Sequence, residues 1–207
     1  MERLIGEHRE KSDSSQTPLN IVARHGWEPI GIPLLVNRAE GTEVIELNGR
    51  PAADVYEEQL GLSGQLTAEN FWDTSLYHPF GLIQADGSMI IRVARTKTER
   101  GSLMIQGCVP PAGSAVQVMA GDADSLLAVT DEVVAATLQQ PSQPGAVLAF
   151  SCAARAVIYG SRTAEEARRL QSAAGGIPTF GIYCCGEFAR TASVLGTHNA
   201  SLAALAL

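Results

Sequence analysis

The chain has 207 residues, 45% of them hydrophobic and 18% charged, with a formal net charge of −7 from 22 acidic and 15 basic residues. That length and apolar content suit one large domain, or one domain plus a fragment, and the acidic balance weighs against nucleic-acid binding. No apolar run approaches the roughly 18 residues that span a bilayer, and the start, MERLIGEHREKSDSSQT, lacks the apolar stretch of a signal peptide, so a cytoplasmic location with no membrane contact is expected.

The first 17 residues are polar and read as a loose arm. PLNIVARHGW reads as a strand that ends in a turn, and 34–38 and 43–47 as two more strands. Asn48-Gly49 is a strong turn signal. Pro51 is expected at the first position of a helix over 52–60, where its missing N–H leaves nothing unsatisfied, and Gly61 stops that helix. Thr67 is expected to cap a second helix holding Phe71, Trp72 and Leu76, which Pro79 ends. Strands over 80–85 and 89–94 flank Asp86-Gly87, a pair that favours a type I′ hairpin. Further strands are expected over 103–106 and 116–119.

The spacing of Leu126, Val129 or Thr130, Val133, Val134 and Thr137 predicts a helix over 122–138 with one buried face, closed by the PSQPG loop. The apolar run 146–150 reads as a strand buried on both sides. Thr163-Ala-Glu-Glu166 has the spacing of a capping box and opens a helix that Gly175-Gly176 stops. Pro178 to Cys185 reads as another strand, and 201–207 as a last strand, although its Ala and Leu content equally allows a helix. Hairpins mixed with helical crossovers imply an α+β fold: a mixed, largely antiparallel β-sheet with helices packed on it.

Three segments carry candidate chemistry. In Phe150-Ser151-Cys152-Ala153-Ala154-Arg155, Ser151 is a good N-cap. Cys152 is then expected in the first helical turn, where the helix end lowers a thiol's pKa. Arg155, three residues on, would share its face and could hold a carboxylate or phosphate. The plainer alternative is a buried thiol and a surface salt bridge. In Tyr183-Cys184-Cys185-Gly186-Glu187, Gly186 suggests a bend, and Glu187 is either a ligand acceptor or a solvated strand-end carboxylate. In Thr197-His198-Asn199-Ala200-Ser201, His198 either contacts a ligand or closes a strand end. His25 and His78 are weaker signals. No metal-ligand spacing, phosphate loop or nucleophile elbow occurs, so no metal and no cofactor is expected. The four cysteines, Cys108, Cys152, Cys184 and Cys185, read as reduced thiols.

FSCAAR at 150–155, GIYCCGE at 181–187 and THNASLAALAL at 197–207 resemble the C-terminal domain of the FIST family. HGWEPIGIPLLVNRAEG followed by ELNGRPAADVYEEQLG looks like the junction of the two FIST halves, and HPFGL at 78–82 also fits. The resemblance covers residues 18–207. It divides the chain into an N-terminal arm with a remnant of the FIST N-terminal half at 1–36 and a FIST C-terminal-like ligand-sensing domain at 37–207. It implies a sensory module for small ligands, such as amino acids or other small carboxylates, working with a signalling protein such as a histidine kinase, chemoreceptor or diguanylate cyclase. It also implies a shared pocket of Cys152, Arg155, Gly186, Glu187 and His198, used for binding and not for catalysis. Two departures stand out: most of the N-terminal half is missing, and Cys184-Cys185 replaces the more usual aromatic or polar residues. The alternatives are a thiol enzyme with Cys152 as nucleophile, His198 as base and Glu187 as orienter; a haem-binding gas sensor using His25, His78 or His198; and a protein-interaction domain.

Overall fold

The computed structural model describes residues 19–139, 144–190 and 195–207. The N-terminal arm and most of the PSQPG loop lie outside the described residues. Strands β1 (Ile21–Arg24), β2 (Glu28–Pro29), β3 (Leu34–Glu40), β4 (Glu43–Leu47) and β5 (Arg50–Pro51) lead into helices α1 (Ala52–Gln59) and α2 (Phe71–Ser75). Then come β6 (Phe80–Ile83), β7 (Met89–Arg92), β8 (Ala94–Lys97), β9 (Leu103–Ile105) and β10 (Ala115–Ala120). The long helix α3 (Ala123–Thr137) is followed by β11 (Val147–Cys152), α4 (Ala153–Tyr159), α5 (Thr163–Ala173) and β12 (Thr179–Cys184). The chain closes with β13 (Glu187–Arg190), β14 (Leu195–His198) and β15 (Leu202–Ala206).

The fold is α+β, with two main sheets. The larger is antiparallel, in the order β7-β6-β10-β3-β4-β9-β8, with β2 added on β10 and β5 on β4. Its core forms around Tyr56, whose ring lies 5.5 Å from Phe71 and 5.3 Å from Phe80. The smaller sheet is mixed, in the order β1-β15-β11-β12, and β11 and β12 form its parallel pair. A parallel pair needs a crossover, which α4 and α5 provide. One face of this sheet, with Val22, Val147, Ala149, Leu202 and Ala204, packs under Val133 and Val134 of α3 and Leu170 of α5. The other carries Phe150, Phe180 and Ile182, all exposed. The β13–β14 hairpin ties the two sheets together: β13 packs against β1, β11 and β15, while β14 touches β7.

Local chemistry explains most of these elements. Asp122 caps α3 by accepting from the Ser125 N–H, and the Ser125 hydroxyl accepts from the Asp122 N–H in return. Asn48 and Gly49 both have positive φ, as a type I′ turn demands, and they join β4 to β5. Several expectations need correction. Asp86-Gly87 is not a type I′ turn: only Gly87 has positive φ, and Ala85, Asp86 and Gly87 form a three-residue loop closed by the Gln84 N–H on the Ser88 carbonyl. Pro51 is the N-cap of α1, one residue before the first helical position. Thr67 does not cap α2; its side chain and that of Asn70 bond each other's N–H groups in the preceding turn. Thr163 and Glu166 do not form a capping box either, because Arg162 is the N-cap and the Thr163 hydroxyl donates to Gly160 O. Strands β8, β13 and β14 lack a run of apolar alternation long enough to be read locally.

Candidate functional site

Strand β11 runs two residues further than its apolar run suggests. The Cys152 N–H donates to Ser201 O at 3.0 Å, which extends the sheet ladder through Ser151 and Cys152. Ser151 is therefore a strand residue, and Cys152 is the N-cap of α4 with extended backbone. The helix start still reaches the thiol through the Ala154 N–H, but burial outweighs it. Burial pushes the Cys152 pKa up to about 11, and the nearby Glu187 carboxylate adds to the rise; the Ala154 N–H opposes it only weakly.

Cys152 and Cys184 are register partners at the ends of the parallel pair. Cys185 and Gly186 then link β12 to β13, which opens with Glu187. Glu187 is 2% exposed. The Cys184 thiol donates to its Oε1 at 3.4 Å and the Ser201 hydroxyl to its Oε2 at 3.5 Å. The Cys152 thiol is a third donor. Desolvation outweighs these bonds and raises the Glu187 pKa to about 7. His198 faces Glu187 across the β13–β14 ladder. Its buried Nε2 has no partner, nor has the neighbouring Asn199 Oδ1, and burial lowers the His198 pKa. The structure thus brings together Cys152, Gly186, Glu187 and His198, and it adds Cys184 and Ser201; the Asn199 amide lies by Gly107 instead.

Arg155 stands apart. It is fully buried, and its Nε and Nη2 donate to Glu166 Oε1 at 3.0 and 2.7 Å. Nη2 also donates to Leu126 O at 2.9 Å, and Nη1 to His25 O at 3.2 Å. The Tyr159 hydroxyl donates to the same Glu166 oxygen at 3.0 Å. Neither expectation for Arg155 holds: it is no open anion cradle beside Cys152, and its salt bridge is not on the surface. It ties α3, α4, α5 and the turn after β1 together, and its charge reaches Glu187 only as a minor influence. Sequence reading missed Glu166 as its partner, and a capping-like spacing disguised it.

His25 and His78 are each engaged within the protein. His25 Nδ1 accepts from the Trp27 N–H at 3.0 Å, and burial with the Arg155 charge lowers the His25 pKa to about 4. His78 Nδ1 lies 3.0 Å from Thr74 O, beside a shallow, open depression lined by Tyr77, Ala120, Gly121, Asp122 and Ser125. Among the described residues no group of three His, Cys, Asp or Glu is placed to hold a metal ion, and no helix is long and apolar enough to cross a membrane. All four cysteines are free.

The FIST C domain model matches residues 52–190, and the FIST N domain model matches residues 12–50. The chain is 29% identical over 187 residues to "Uncharacterized protein MT0656" of Mycobacterium tuberculosis, which covers 86% of the chain and 47% of that relative. It is 28% identical over 186 residues to "Uncharacterized protein Mb0898c" of Mycobacterium bovis, at the same coverage. The chain therefore spans about half the length of these curated relatives. No solved structure matches it with significance.

Proposed function

The chain belongs to the FIST family of sensory domains in signal-transduction proteins, and from that premise we propose that it binds a small ligand bearing a protonated amine, such as an amino acid, at the Glu187 cluster. One observation carries this reading: Glu187 is buried among two thiols and a hydroxyl, donors that bear no positive charge. A carboxyl in that setting holds its proton to near neutral pH. An ammonium group entering the cluster would replace the missing counter-charge and let Glu187 ionise. His198, the register partner of Glu187 with an unpartnered Nε2, would read the ligand's other end. Cys184, half-buried, borders the cluster on the solvent side. Arg155, held by Glu166, offers no free guanidinium to a carboxylate.

The same geometry favours binding over catalysis. A thiol with a pKa near 11 is almost entirely protonated at neutral pH, so Cys152 makes a poor nucleophile. We place the output in a signalling partner, of the histidine kinase, chemoreceptor or diguanylate cyclase kind, that responds to the ligand-bound form.

A thermal-shift panel of glycine, alanine, ethanolamine and acetate tests the reading. The amine compounds raise the Tm by mass action and acetate does not. Binding at pH 6 releases a proton measurable in buffers of different ionisation enthalpy. The Glu187→Gln variant loses both effects. If acetate alone shifts the Tm, or if the amine shifts survive Glu187→Gln, the site is wrong.

A further inference from the structure

We infer that the cleft between the β11–β12 pair and α5 is a second ligand site, separate from the Glu187 cluster, for a small neutral and mostly apolar molecule with one hydrogen-bond acceptor. The cleft holds about 420 Å³, within the range of small-molecule sites. It exists because the sheet floor is made of small side chains. Ala149 is the register partner of Gly181, so at that level no large side chain fills the space between the floor and Leu170 of α5, while Tyr183, the register partner of Ser151, walls one end. Ile177 and Pro178 add apolar surface to the lining.

The polar groups define the ligand. Ser151 lines the cleft, is 5% exposed, and its hydroxyl has no hydrogen-bond partner. A buried hydroxyl left in that state is unfavourable, and a ligand oxygen accepting from it would relieve the cost. Glu166 also borders the cleft, but its charge is matched by Arg155 at 2.7 Å and its Oε1 is occupied by Tyr159 as well. The lining is therefore close to neutral overall, which disfavours ions and suits an uncharged guest. Successive strand residues point to opposite faces, so Ser151 opens into this cleft while Cys152 turns toward Glu187. The two sites share β11 and no ligand-facing side chain.

Benzyl alcohol, titrated into the isotope-labelled full chain and followed by amide NMR, tests this. We expect saturable shifts at Ser151, Leu170 and Gly181. Ser151→Ala weakens binding about fivefold, the size of one hydrogen bond. A Cβ at position 181 meets Leu170 Cδ1 at 3.6 Å and Ala149 Cβ at 3.8 Å, ordinary contacts. Gly181→Val therefore sets an isopropyl group between the floor and Leu170, where it blocks the guest and abolishes binding, while an unchanged amide spectrum elsewhere shows that the variant folds. Glu187→Gln leaves benzyl alcohol binding unchanged, which separates this site from the amine site. Shifts that never saturate, binding that survives Gly181→Val, or an affinity untouched by Ser151→Ala overturns the inference.

Discussion

Glu166 and Glu187 are buried to nearly the same degree, at 1% and 2% exposure, yet their neighbours differ in kind. Glu166 receives two bonds from Arg155 and one from Tyr159, so its charge is matched inside the protein. Glu187 receives a hydroxyl and two thiols, and its charge is not matched. The first arrangement locks helices together. The second leaves a buried carboxyl without a counter-charge, the feature on which the proposed amine site rests. Burial alone therefore does not tell the two carboxylates apart; the charge of their donors does.

The largest expected effect comes from breaking the matched pair. Arg155→Ala leaves Glu166 buried without a cation and lowers stability by about 3–5 kcal/mol. A urea titration of Arg155→Ala should show it, and the double variant Arg155→Met/Glu166→Leu should recover most of the loss. If the single variant costs no more than a surface substitution, Glu166 and Arg155 are not the lock described.

Glu187→Gln should act in the opposite sense. The Glu187 pKa rises from 4.5 to about 7 on folding. As pH climbs through that window the unfolded chain releases a proton that the folded chain keeps, so the wild type loses stability. At pH 8 the variant gains up to about 3 kcal/mol over the wild type, and at pH 4.5 the gain vanishes. His25, whose pKa falls to about 4, imposes the reverse slope as pH drops below 6.5. The two chains must therefore be compared at each pH, since His25 acts equally in both.

The thiols around Glu187 offer a third check. With pKa values raised from 9.0 to about 11, Cys152 and Cys184 should react with iodoacetamide about 100-fold more slowly than a free cysteine at neutral pH. Fast labelling of Cys152 would contradict the uncharged cluster. The smallest effect is a control: Asp122→Ala removes the α3 cap and costs about 1 kcal/mol. Because hydrogen bonding from Ser125 holds the Asp122 pKa below the usual range, the loss should be constant between about pH 6 and 8 and shrink only in acid, unlike that of Glu187→Gln.

The fold was legible in the sequence wherever a local signal decided the outcome. Asp122, the apolar stripe of α3 and Asn48-Gly49 act through neighbours a few residues away. The candidate site was legible in part. Cys152, Gly186, Glu187 and His198 come from segments that resemblance to a family had marked, and the structure brings them together. Arg155 was misplaced because its partner lies 11 residues on, beyond a helix and a turn, where no periodicity reports it. The Thr163-to-Glu166 spacing imitates a helix cap, and only the fold shows Glu166 turned inward. Ser151 misled for a related reason. Serine is a common N-cap, but the bond from Cys152 N–H to Ser201 O, made with a segment 49 residues away, holds it in the strand.

The most direct test of the central claim is a carbon-13 NMR titration of the Glu187 side-chain carboxyl in the full chain. The account predicts a midpoint near pH 7 in the free protein, moving downward when an amine ligand binds. A midpoint between about 4 and 5 in the free protein, the ordinary glutamate range, would show that the charge is already compensated and would contradict it.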